Sequence, residues 1–162
     1  MHQIPRTPVA CIAAALIALA SIAALAAPGS PSSGSLDPSF GAGGVVTTRF
    51  PASAHAEAVA LEPRGGIVLA GRSGSDLALA RYRTDGSLDP AFGEGGRLVS
   101  DLRGRDGVAA AVQLDGKIVV AGSSGPHLAL ARYLPDGSLD PSFGEGGEVA
   151  SNLGPRAEAI AL

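Results

Sequence analysis

The chain has 162 residues, enough for one domain, and carries a formal charge of −3 from 12 basic and 15 acidic side chains. The charges are scattered, Lys117 is the single lysine and no basic stripe forms, which disfavours a nucleic-acid backbone or an anionic membrane surface as partner. Twenty-three glycines, all beyond residue 28, with 4% aromatics point to many tight turns.

Residues 1–27 read as a secretory signal rather than as fold. Arg6 gives a basic start, Val9 to Ala27 is uncharged, Ala24-Leu25-Ala26 is a small-x-small cleavage site, and Pro28 follows. A permanent anchor is the competing reading, since Val9–Ala27 is just long enough to span a bilayer. Its alanine richness and small-residue end favour cleavage. Cys11 does not read as a lipoprotein site, because Pro8-Val9-Ala10 lacks the usual leucine and almost no apolar run precedes it. The expected mature chain is secreted, periplasmic or at the cell surface, with no membrane contact after cleavage. It has no cysteine, so packing alone must hold it.

After a short linker (28–34) the chain repeats itself. Gly-Ser-Leu-Asp-Pro begins at Gly34, Gly86 and Gly137, and each copy runs on through Phe40, Phe92 or Phe143 into Gly-x-Gly-Gly. Gly66–Gly71 (GIVLAG) is echoed by Lys117–Gly122 (KIVVAG), and LALARY recurs unchanged at Leu77–Tyr82 and Leu128–Tyr133. The repeat units are 35–86, 87–137 and a partial third, 138–162. Matching positions in one register across this period are the signature of a repeat architecture.

Each period predicts four short strands. The first follows Gly-x-Gly-Gly, at Val45–Phe50, Arg97–Leu102 and Glu148–Leu153. The second is Glu57–Glu62, Val108–Gln113 and Glu158–Leu162; the third is Ile67–Gly71 and Ile118–Gly122; the fourth is Leu77–Tyr82 and Leu128–Tyr133. Arg64-Gly65-Gly66 and Asp115-Gly116 are hairpin signals between the second and third strands, and Ser73-Gly74-Ser75 and Ser123–Pro126 join the third to the fourth.

In LALARY, Leu77, Leu79 and Arg81 share one face while Ala78, Ala80 and Tyr82 share the other. The third strand is apolar on both faces, which implies burial between two neighbouring sheets. The expected class is therefore all-β: β-propeller-like blades, each a four-stranded antiparallel meander, in a propeller here incomplete with two full repeats and part of a third. Another stacked all-β array is the alternative. The third copy stops at Leu162 inside its second strand, which reads as a fragment of a longer protein. The other reading is a short chain that self-associates through its open blade edge.

Gly-Ser-Leu-Asp-Pro-Ser-Phe has a mechanical reading. Asp85-Gly86 turns the chain out of the fourth strand, and Ser87 or Asp89 caps a short helical turn opened by Pro90. That turn tucks Phe92 between successive blades. Phe40, Phe92 and Phe143, with Asp37, Asp89 and Asp140, are thus structural positions of the repeat.

The string DGSLDPSFGxGG, a strand, AVAL, DGKIVVAG and LALARYxxDG resembles the delta-60 repeat family over Ser35 to Leu162. The resemblance implies tandem repeats in exported bacterial proteins with a β-propeller-like fold. It implies neither an enzymatic activity nor a cofactor, and so supplies no catalytic residues.

Little in the residues argues for chemistry. His2 leaves with the signal, His55 lies in a loop that differs between copies, and His127 precedes a strand; none has zinc-type spacing. Gly71-Arg72-Ser73-Gly74-Ser75 misses the last glycine of a nucleophile elbow. Asp85 with Asp89, and Asp136 with Asp140, are weak candidates to share a Ca²⁺, but the oxygen ladder of an EF-hand is absent and turn-forming and capping explain them better. Arg81 and Arg132 either line a channel for an anion, or pair with a repeat carboxylate or snorkel to the sheet edge, the latter two being favoured. No cofactor is expected. Copies differ most at Pro51–Ala56, Arg103–Gly107 and Gly154–Arg156, where a rigid scaffold would place binding specificity. The expected function is a non-catalytic binding or surface scaffold for an unidentified protein or glycan. The alternatives are part of a secreted propeller enzyme, a lyase or hydrolase with its site in other blades, and a gene remnant without a stable fold.

Overall fold

The computed structural model describes residues 34–101, 108–124, 127–151 and 160. The signal segment, the loops at 103–107 and 154–156 and nearly all of the last expected strand lie outside the described residues.

Among the described residues, eight strands form two four-stranded antiparallel meanders. The first sheet holds β1 (Ala54–Leu61), β2 (Ile67–Ser73), β3 (Asp76–Tyr82) and β4 (Arg97–Ser100) in that order. The second holds β5 (Ala109–Val112), β6 (Ile118–Ser124), β7 (His127–Tyr133) and β8 (Glu148–Ser151), also in chain order. The class is all-β, as the repeat implied, and no helix long and apolar enough to cross a membrane occurs among the described residues.

Local chemistry sets the register. Gly65 and Gly116 take φ of 85° and 83° in the β1–β2 and β5–β6 turns, a region open to glycine at no steric cost. In the β1–β2 pair the register slips between Ala56 and Ala58, opposite Gly71. A β-carbon on Gly71 would collide with the His55 carbonyl oxygen, so glycine is what lets this bulge close.

The sheets are phased differently from the sequence repeat. Arg97–Ser100, which opens the second repeat, pairs antiparallel with Leu77–Ala80 of the first, and Glu148–Ser151 pairs likewise with Leu128–Ala131. Each sheet therefore takes three strands from one repeat and its outer strand from the next, so that the chain is laced from sheet to sheet. The expected strand at Val45–Phe50 is the exception: it belongs to no ladder. Its counterparts pair with the LALARY strand of the preceding repeat, and no such strand precedes it among the described residues.

The two sheets pack face to face. Val68, Ala70, Leu77, Leu79 and Phe92 meet Val108, Ile118, Val120, Ala131 and Tyr133 in one core. Leu79, Phe92, Val68 and Ile118 have no exposed surface, and burying each such side chain contributes about 1.5–3 kcal/mol. The double-sided burial expected of the third strand is met in part: Val68 and Ala70 face the second sheet, while Ile67 and Leu69 are half-buried on the other side.

Candidate functional site: the repeat junction and the mouth between the sheets

The Gly-Ser-Leu-Asp-Pro segment links the sheets, and its polar groups are arranged alike in successive copies. The expected helical turn is instead a chain of reverse turns. The Phe92 amide donates to the Asp89 carbonyl (3.1 Å), the Gly96 amide to the Phe92 carbonyl (2.8 Å), and the Phe143 and Gly147 amides do the same one repeat later. With so many positive-φ glycines in Gly-x-Gly-Gly (Gly93, Gly95 and Gly96), helix cannot propagate past the first turn.

The aspartates close these turns. Asp85 Oδ1 accepts from the Ser87 amide and hydroxyl at 2.9 and 2.7 Å, and Asp136 Oδ1 accepts from Ser138 at 2.9 and 2.6 Å. Those hydroxyl and amide bonds hold both carboxyls below the usual aspartate range. Asp37 binds Ser39, and Asp140 binds Ser142, in the same manner.

Asp89 and Asp140 have a second role. Asp89 Oδ2 lies 2.7 Å from Arg81 Nη2, and Asp140 Oδ2 lies 2.8 Å from Arg132 Nε and 3.3 Å from Lys117 Nζ. Burial would raise Asp89, but the Ala91 amide and Arg81 outweigh it and leave it lowered. The Ser142 hydroxyl, then its amide, Lys117 and Arg132 hold Asp140 well below its ordinary value against the burial that opposes them. Each arginine also lies over a phenylalanine: Arg81 at 5.1 Å from the Phe92 ring centroid, Arg132 at 4.6 Å from that of Phe143.

The structure thus brings together Arg81, Asp89 and Phe92 in one repeat and Arg132, Asp140 and Phe143 in the next. Asp85 closes a turn on Ser87, while Asp89 faces Arg81. Among the described residues no three histidine, cysteine or acidic side chains gather as a metal site. Phe92 is fully buried, whereas Phe40 and Phe143 are half-buried; His127 and His55 are exposed.

One contact was invisible in the sequence. Arg81 Nη1 donates to the carbonyl oxygen of Pro135, reaching from the first repeat to the turn that leaves the second. Below it opens a cavity of about 410 Å³ between the ends of the sheets, lined by Glu62, Arg64, Arg81, Asp89, Asp115 and Pro135 among others. Arg81 is 9% exposed and its Nε has no hydrogen-bond partner. The cavity mixes both charge signs, and Arg81 already faces Asp89 and Glu62. This arrangement holds a junction together and can offer hydrogen bonds to a polar ligand at its mouth. It contains no nucleophile with an adjacent base.

A family model described as a domain of unknown function (DUF5122) β-propeller matches residues 65–92 and 113–143. The sheets are propeller blades. Each matched stretch starts at a hairpin between the first two strands of a blade, runs through LALARY, and ends at the buried or half-buried phenylalanine of the junction. No curated protein and no solved structure matches the chain. The first blade is therefore β1–β4 and the second β5–β8, each completed by the outer strand that the next repeat supplies.

Proposed function

We propose that the chain is an exported, non-catalytic binding scaffold of the delta-60 repeat type, which engages a protein or glycan through loops that differ between copies. The observation that carries the reading is how the ionisable groups of the junction are spent. Asp85, Asp136, Asp89, Asp140, Arg81 and Arg132 each hold another part of the same chain. Groups committed in this way position backbone rather than act on a substrate. The segment Pro51–Ala56, by contrast, is exposed throughout and stands at the start of β1 on a rigid sheet. The basic start and Ala24-Leu25-Ala26 support export.

The test pairs location with binding. The protein is expressed from its full reading frame, and the mass of the form in culture supernatant and envelope is measured; loss of about the first 27 residues is expected. The purified mature form is then applied to glycan arrays and to envelope extracts. Replacing residues 51–53, which precede β1, with Gly-Ser sequence should lower binding at least tenfold with the melting curve unchanged. Retention of the chain in the cytoplasm, or substrate turnover without stoichiometric binding, overturns the reading.

A further inference from the structure

The segment 35–50 is a blade junction that lacks only its strand. In the other two copies the junction makes a fixed set of bonds to the LALARY arginine of the preceding repeat. The Arg81 amide donates to the Gly96 carbonyl at 2.9 Å and the Asp89 amide to the Arg81 carbonyl at 2.9 Å; Arg132 repeats both with Gly147 and Asp140 at 2.9 and 2.8 Å. Asp89 and Asp140 then each hold the arginine side chain. The corresponding groups in the first copy are the Gly44 carbonyl, the Asp37 amide and the Asp37 carboxylate. Among the described residues none of them meets an arginine.

The same segment is nonetheless already seated as an outer blade strand would be. The Gly41 amide donates to the Asp85 carbonyl at 2.8 Å, as that of Gly93 does to Asp136 at 2.8 Å, and Tyr82 Oη donates to Thr48 Oγ1 at 2.6 Å. A cavity of about 210 Å³ remains beneath it, against Leu69, Ala80 and Tyr82. Beside it, Val59 and Leu61 are 64% and 71% exposed, while their counterparts Ala110 and Val112 pack on the core between the blades. The first blade thus presents the apolar face that the second blade uses inside the chain, with an arginine-seeking strand edge attached.

What fits that face is a blade bearing LALARY, and this chain carries a complementary one. Leu128, Leu130 and Arg132 of the second blade correspond to Leu77, Leu79 and Arg81, which make the other half of the interblade contact. The strand over them, β8, has only four residues, of which three are exposed.

We infer that the chain binds a second copy of itself head to tail by strand exchange. Val45–Thr48 of one copy pairs with Leu128–Ala131 of the other in place of β8, and Asp37 replaces Asp140 on Arg132. The register follows from the β3–β4 pairing, in which Leu79 faces Leu98 and Ala80 faces Arg97. Carried over, Val46 lies opposite Leu130 and Val45 opposite Ala131. The exchanged hydrogen bonds and ion pair are nearly equivalent, so the driving force is burial of Val59 and Leu61. The contact is heterologous, which lets repeated additions close a ring.

Sedimentation velocity of the mature chain across micromolar to millimolar concentration tests this first. Concentration-dependent association is expected, weakened at least tenfold by the double substitution Val59→Glu with Leu61→Glu. Both side chains are exposed, so circular dichroism should show that double variant folded. A mixture of the single variants Val46→Cys and Leu130→Cys should form a disulfide-linked heterodimer under mild oxidation, more readily than either alone. A folded monomer at every concentration overturns the proposal, as does association indifferent to Val59→Glu/Leu61→Glu. Hydrogen exchange supplies the last arm: protection of the 45–48 amides in a monomer would place that strand against another repeat of its own chain and also overturn it.

Discussion

The three junction phenylalanines share a motif but not an environment, and truncating them separates packing from motif. Phe92 has no exposed surface and lies in the core between the blades, whereas Phe143 is half-buried. Full burial of a phenylalanine is worth about 1.5–3 kcal/mol of transfer free energy, and the closed cavity left by truncation brings the total to about 3–5 kcal/mol. At Phe143 roughly half the transfer contribution is at stake and solvent fills the space, so about 1 kcal/mol is expected. The arginine over the ring is common to both sites, at 5.1 and 4.6 Å, and cancels in the comparison. Phe92→Ala should therefore cost about 2 kcal/mol or more beyond Phe143→Ala, with Phe40→Ala near the latter. In a chain of 162 residues each kcal/mol moves Tm by about 2–4 °C, which still makes the difference easy to resolve. Urea denaturation followed by circular dichroism is the assay, run at concentrations where sedimentation shows a monomer. Equal losses at Phe92 and Phe143, or a larger one at Phe143, would refute the interblade packing from which these magnitudes come.

Three further outcomes are expected. Asp140 is depressed in the fold, so its stabilising contribution is complete above the unfolded-state value of 3.8 and is lost as pH falls below it. Asp140→Asn should flatten the decline of the urea midpoint between about pH 4 and pH 2; an unchanged acid slope would show that the carboxylate is not responsible. Burial pushes the Tyr133 phenol up to about 12, with Ser100 offsetting part of the shift, so the fold favours the neutral ring. The stability it lends is complete below pH 10 and declines as pH rises toward 12, and Tyr133→Phe should abolish that alkaline decline in a thermal melt. Finally, Gly93 and Gly95 have φ of 51° and 60°, yet a β-carbon on Gly93 would strike the Arg97 carbonyl while one on Gly95 meets nothing within 4 Å. Gly93→Ala should destabilise more than Gly95→Ala by about 1–2 kcal/mol, and similar midpoints for the two would contradict the tight turn at Gly93.

Much of this protein was legible in the order of its residues. Alternation in LALARY assigned Leu77, Leu79 and Arg81 to one face, because successive side chains in a strand point oppositely whatever surrounds them. Glycine at the hairpin turns and the recurrence of Gly-Ser-Leu-Asp-Pro fixed the meanders, since backbone sterics and short hydrogen-bonded turns are local. The pairing of Arg81 with Asp89 was foreseeable for the same reason, with donor and acceptor only eight positions apart. Tertiary structure alone decided what lies farther apart. It placed Arg97–Ser100 on the first blade instead of the second, because the outer edge of Leu77–Ala80 needs a ladder partner and the next repeat is the nearest chain that can supply one. It separated Phe92 from Phe143, whose sequence contexts match, by setting a second sheet against one and not the other. It also left Val45–Phe50 outside any ladder, because strand pairing requires two segments and sequence pattern describes only one.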